Sequence, residues 1–146
     1  MPDLYVERLK TYSAEDAAEI GRLMPQLSAN FSDDPIQEDV LRAVIESPHH
    51  EQLVARASEK IVGAAALSLI MGAGARQKAW LEGFVSDKNS GIKGVGQALW
   101  DEMIVWCEEK QADLVFTSHS SREAAHAFYL KQGAYIRDTT VFKKDI

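Results

Sequence analysis

The segment WLEGFVS, Trp80 to Ser86, is an apolar run holding one carboxylate, Glu82. A loop with Gly91, Gly94 and Gly96 follows, and then an amphipathic stretch that reaches Lys110. Together they predict a strand feeding an anion-binding helix. The glycines let the backbone pass close to a bulky anion, and the first amides of the next helix have no intrahelical acceptors, so they point at that anion. A phosphate-bearing, nucleotide-like ligand is the chemistry this arrangement suggests. The two common nucleotide fingerprints are absent: Gly96 is followed by Gln97 and Ala98 instead of Lys and Ser or Thr, and Val95 alone separates Gly94 from Gly96.

Other reactive side chains are sparse. His49 and His50 adjoin Pro48 in a presumed loop, His119 follows a short strand, and His126 lies among polar neighbours on a helix and reads as a surface residue. No histidine pair has a metal-binding spacing, and one cysteine, Cys107, supplies neither a zinc set nor a disulfide. Ser118, Ser120 and Ser121 lie near His119, but no G-x-S-x-G elbow is present, which argues against a serine hydrolase.

Further along, SSREAAHAFYLKQGAYIRD, Ser120 to Asp138, carries Phe128-Tyr129 on a helix that ends at Gly133. The two segments together resemble the GNAT superfamily of acyl-coenzyme A dependent N-acetyltransferases. Gly94 and Gly96 match the small positions of that family's pyrophosphate loop, Tyr129 its tyrosine, and Gly133 the glycine after it. Counting back without gaps from Gly94 places Glu82 at the family's usual carboxylate. Gly91 stands where the family has Arg or Gln, Arg122 where it often has Asn, and Ala134 where it usually has Phe. The motifs cover Trp80 to about Asp138; the first half agrees only in its order of elements.

The resemblance implies a single acetyltransferase-like domain over residues 1–146, of α/β (α+β) class, with a mixed, mostly antiparallel central sheet flanked by helices. It implies that acetyl-coenzyme A is the cosubstrate and a primary amine the acceptor, with a homodimer as one allowed assembly. The cofactor set is then Gly91, Ile92, Lys93, Gly94, Val95, Gly96 and Gln97 around the pyrophosphate. The pantetheine arm would lie along the preceding strand, where a backbone amide near Phe84 or Val85 faces the acyl oxygen.

Acetyl transfer from a thioester needs little from the protein: the amine must lose a proton, the carbonyl oxygen needs a donor, and the thiolate can take a proton. Glu82 is a candidate base if burial raises its pKa, or else an anchor for the substrate ammonium. His119 is the alternative base. Tyr129 is the candidate acid, against ordinary core packing, which suits Phe128 better. The rival class is a non-catalytic acyl-coenzyme A binding or regulatory module. The stretch LEGF resembles the related strand of some aminoglycoside 6′-N-acetyltransferases, and a small metabolite amine or a protein amino group remains equally open.

These groups must be positioned by a chain of 146 residues, 46% hydrophobic, enough for a real core. Its charge of −6 disfavours nucleic acid and suits cationic partners. MPDLYVERLK has no apolar signal core, and the longest uncharged stretch, Ile61 to Ala75, is too short to span a bilayer, so a soluble protein of a reducing cytosol is expected. Strands are predicted over Leu4–Leu9, Leu53–Ala57, Ile61–Leu69, Ala79–Ser86, Leu114–Thr117 and Tyr135–Phe142, the last closing the sheet. Helices are predicted after Ser13, from Pro35 to Pro48, from Val95, and after a Ser120/Glu123 capping box. The loop Asn30 to Asp34 and the helix after it would set substrate selectivity, with Phe31, Asp33 and Asp34 either lining an amine pocket or forming a solvated turn.

Overall fold

The computed structural model describes residues 3–74 and 76–146; Met1 and Pro2 of the N-terminal reading, and Ala75 at the end of the uncharged stretch, lie outside it. The described chain falls into two compact units, one ending at Phe116 and the other Thr117–Ile146.

The first unit is a five-stranded sheet in the order β1-β2-β3-β4-β5. The strands are β1 Leu4–Arg8, β2 His50–Ala57, β3 Lys60–Ile70, β4 Gln77–Ser86 and β5 Ala112–Val115. The first four run antiparallel to their neighbours and β5 runs parallel to β4. β2 and β3 meet at a two-residue turn, Ser58 and Glu59, both at positive φ (50° and 64°), which matches the twist of the strands.

Helix α1, Ala14–Leu23, starts where Ser13 Oγ accepts the Asp16 N–H at 3.0 Å. Pro25 then tightens Met24–Gln26 into a 3-10 turn. Ala17, Ile20 and Leu23 are buried with Leu41 of helix α2, Glu38–Glu46, and with Val54, Ile61, Ala64 and Val85 of the sheet. Helix α3, Val95–Lys110, buries Val95, Leu99, Trp100, Met103, Trp106 and Cys107. The sheet is thus covered from two sides. A Cβ on Gly63 would stand 2.5 Å from Val95 Cγ1 and 3.0 Å from Leu99 Cδ1, so the missing side chain lets α3 sit close on β3.

α2 begins three residues later than the proline predicts. Pro35 and Ile36 are strapped to α1 instead: the Ile36 N–H donates to the Ala17 carbonyl at 3.1 Å, and a Cβ on Gly21 would stand 2.1 Å from the Asp34 carbonyl oxygen. Backbone cannot yield as a flexible side chain does. Gly21→Ala is therefore expected to lower stability by about 1–3 kcal/mol, as overpacking does, read as a fall in thermal midpoint. An unchanged midpoint would show that residues 34–36 are not seated on α1.

The second unit contains helix α4, Glu123–Lys131, ended by Gly133 at φ 92°. Two expectations fail here. Ser120 does not cap α4: Arg122 occupies the cap position without a side-chain bond, because a turn from the His119 carbonyl to the Arg122 N–H (3.1 Å) intervenes. Tyr135–Phe142 forms no strand, and the described sheet ends at five. Its apolar residues come in adjacent pairs, Tyr135-Ile136 and Val141-Phe142, so neither face of an extended strand would be apolar throughout; all four are exposed.

Candidate active site

Glu82 lies on β4 two residues from Trp80, and the two side chains leave the same face of the strand. The indole Nε1–H donates to Glu82 Oε1 at 2.6 Å. The carboxylate is thereby oriented, but the burial that would favour it as a base is not found: Glu82 is exposed.

Immediately after Glu82 the ladder slips. Glu82 pairs with Ala66 and Val85 with Ala64, so Gly83 and Phe84 together stand opposite Ala65. Gly83 is at φ 60°. This is a β-bulge with a left-handed glycine, which kinks the strand and re-aims its backbone groups. The sequence reading missed it, although a glycine inside a strand pattern is the signal for one. Beyond the bulge Val85 is buried toward α1, while Phe84 faces α3, its ring 6.5 Å from that of Trp100. Trp100 in turn meets Phe116 edge-on at 6.1 Å.

The loop after β4 turns on its glycines. Gly91 and Gly94 are at φ 73° and 83°, and a Cβ on either, or on Gly96, would meet nothing within 4 Å among the described residues. Gly94 is the cap residue of α3, no side chain caps this helix start, and its first turn carries no acidic residue. An anion approaching here meets a positive dipole end and no competing carboxylate in that turn. These residues fit a pyrophosphate.

Asp87, at the start of the loop, carries a second feature that the sequence reading passed over. Its burial alone would raise its carboxyl pKa, but bonds from Gln26, the Asn89 backbone and Arg22 outweigh that and hold it below the ordinary carboxylate range. Cys107 is the opposite case: burial, with Asp113 and Glu108 adding to it, pushes its thiol up to about 11. Burial and a raised pKa both make it a poor nucleophile at neutral pH.

In the second unit Tyr129 is half-buried, its ring 6.4 Å from His126 and 5.9 Å from Phe128. Desolvation raises its phenol above the ordinary value, against a smaller opposing effect of Arg122, so it holds its proton at neutral pH. His119 is exposed, and its Nδ1 accepts the Ser121 backbone N–H at 3.1 Å, with Ser121 Oγ at 2.7 Å. His126 Nε2 lies 3.1 Å from Ser118 Oγ.

On the acceptor side of the sequence reading, Phe31, Asp33 and Asp34 are exposed, and Asp34 is tied back to Ser32 by Ser32 Oγ–H donating to Oδ2 at 3.1 Å. An open depression of about 390 Å³ is lined by Asp39, Val40, Ala43, Val44, Ser47 and His50, on α2 and the start of β2.

The profile of the Acetyltransferase (GNAT) family matches residues 16–134, which include the bulged strand, the glycine loop and α4. The chain belongs to that family. The GNAT fold recurs among solved structures. The aminoglycoside N-acetyltransferase AAC(6')-Iy in complex with CoA superposes with a TM-score of 0.77 at 16% identity, covering 99% of this chain and 96% of that one. An aminoglycoside acetyltransferase, meta-AAC0020, from an uncultured soil metagenomic sample gives 0.75 at 18% identity, covering 98% and 95%. A transcriptional regulator from Bacillus halodurans C-125 gives 0.76 at 17% identity, covering 99% and 100%. At these identities the likeness is one of fold. No curated protein sequence matches the chain. None of the described helices is long and apolar enough to cross a membrane.

Proposed function

We propose that this GNAT domain transfers the acetyl group of acetyl-coenzyme A to a primary amine by direct attack in a ternary complex. The observation that carries the reading is the uncapped, glycine-led start of α3, directly after a bulged strand that holds an oriented carboxylate. The amides between Gly91 and Gln97 take the pyrophosphate, apart from that of Ile92, which donates to Ser90 Oγ at 3.1 Å, and the backbone at Phe84 and Val85 receives the pantetheine arm and the acyl oxygen. The amine nitrogen attacks the thioester carbon; its proton passes to Glu82, directly or through a water, or to solvent. The carbon–sulfur bond then breaks, and the thiolate takes a proton for which Tyr129 is the donor. Buried, protonated Cys107 is consistent with transfer without an acyl-enzyme and with a reducing cytosol.

The acceptor is an amine drawn by an acidic surface, with α2 and the segment around Asn30 to Asp34 selecting among amines. The aminoglycoside acetyltransferases of the same fold support including polycations among the candidates. The regulator of the same fold supports the rival reading, a module that binds acyl-coenzyme A without turnover. Calorimetric titration with coenzyme A, followed by a thiol-release assay over aminoglycosides, small metabolite amines and peptide amines, separates the two. Release with any amine supports the enzyme, and binding without release across the panel supports the module.

Tyr129→Phe should leave acetyl-coenzyme A binding nearly intact while slowing the chemical step, because the hydroxyl is lost and the ring stays. General-acid assistance is typically worth ~10²–10⁴-fold, and a thiolate leaves well unaided, so the low end is expected. Single-turnover kinetics beside a titration reads both. A full chemical rate returns Tyr129 to packing, and a loss of binding alone makes it a cofactor-positioning residue.

A further inference from the structure

Asp87 is only 7% exposed, and the chemistry above does not use it. Its bonds run in two directions. Toward the sheet and α1, its N–H donates to the Val62 carbonyl at 2.8 Å, where β3 carries an extra residue against β2, and its Oδ2 accepts from Arg22 Nη1 at 3.3 Å. Its Oδ1 accepts from Gln26 Nε2 at 2.9 Å and from the Asn89 N–H at 3.0 Å, while Gln26 Oε1 accepts the Lys88 N–H at 3.1 Å. Toward the glycines, its carbonyl accepts from Ser90 Oγ at 2.9 Å and the Ser90 N–H at 3.2 Å, and Ser90 Oγ accepts the Ile92 N–H at 3.1 Å. A chain of bonds thus links α1 and the 3-10 turn to Ile92, the residue after Gly91.

A cradle built on glycines needs such a link. Gly91 and Gly94 sit at positive φ with open space where a Cβ would be, so no side chain of their own fixes them. We propose that Asp87, with Gln26 as its partner, is a positioning residue that holds the Gly91–Gln97 backbone in its anion-accepting form. The inference rests on the reading of that loop as the coenzyme A pyrophosphate cradle. Arg22 and Gln26 belong to the same helix and turn against which residues 34–36 are strapped through Gly21 and Ala17. Cofactor loop and acceptor segment therefore share one support.

The test compares calorimetric affinities for coenzyme A and for pantetheine, which keeps the arm and lacks the pyrophosphate, in wild type, Asp87→Ala, Asp87→Asn and Gln26→Ala. Asp87→Ala should weaken coenzyme A binding ~10-fold, a loss on the scale of one charge-assisted hydrogen bond, with pantetheine affinity within about twofold of wild type. Asp87→Asn keeps an acceptor for Gln26 and Asn89 and should recover most of that loss. Gln26→Ala removes a half-buried partner and should follow Asp87→Ala in direction; it decides the matter if Asp87→Ala does not fold. Unchanged coenzyme A affinity in the folded variants, or an equal loss for both ligands, overturns the positioning role alone. Failure of the wild type to bind coenzyme A overturns both this inference and the functional reading beneath it.

Discussion

Gly94→Val is expected to weaken acetyl-coenzyme A binding at least ~10-fold, because a β-branched residue at φ 83° strains the very cap whose amides would receive the pyrophosphate. Left-handed backbone costs an L-residue roughly 1–2 kcal/mol, so the loop relaxes toward negative φ and the amides of Val95 and Gly96 turn away from the anion. The protein should still fold, since a Cβ at this position would meet nothing within 4 Å among the described residues. A titration beside a thermal melt reads both effects. Gly72→Ala is the control: its site is equally open and lies outside the positive-φ region. Acetyl-coenzyme A binding to Gly94→Val with unchanged affinity would place the cradle elsewhere.

Glu82→Gln should lower turnover with a good amine ~10²-fold or more at neutral pH, where most of the amine is protonated and a base is needed. The Gln side-chain oxygen can still accept the Trp80 indole bond, so the geometry of the strand is kept and only the basic charge is removed. The loss should shrink as pH rises toward 10, where free amine becomes abundant without a base. A pH–rate profile on both proteins settles it: parallel curves would take Glu82 out of proton transfer, and a change confined to KM would make it an anchor for the ammonium.

What the sequence showed best was local chemistry. Ser13 caps α1 as its spacing with Asp16 predicts, and Gly91 and Gly94 have the positive φ that only glycine adopts cheaply. Helix starts and glycine turns are decided by a few neighbouring residues, and such information is contiguous. What escaped was decided by distant partners. β2 begins at His50, three residues before its apolar pattern, because the long strand β3 offers Ser68 as a partner for His50. Pro35 opens no helix because the Ala17 carbonyl holds Ile36. The paired apolar residues at Tyr135-Ile136 and Val141-Phe142 read as strand by composition, yet they lack the alternation a sheet face needs. The bulge at Gly83 and the Asp87 hub are of mixed kind. The glycine and the Asp-x-Asn-Ser turn are visible in the sequence, whereas the slip against Ala65 and the bonds to Gln26 and Arg22 depend on β3 and α1.

The most direct test of the central claim is a crystal structure of this protein with acetyl-coenzyme A bound. Pyrophosphate density is expected against the backbone amides between Gly91 and Gln97. The pantetheine arm is expected along β4 at the Gly83–Phe84 bulge, with the acetyl oxygen facing a backbone amide of Phe84 or Val85. Pyrophosphate bound away from the start of α3, or an acetyl group remote from the bulge and from Glu82, would contradict it.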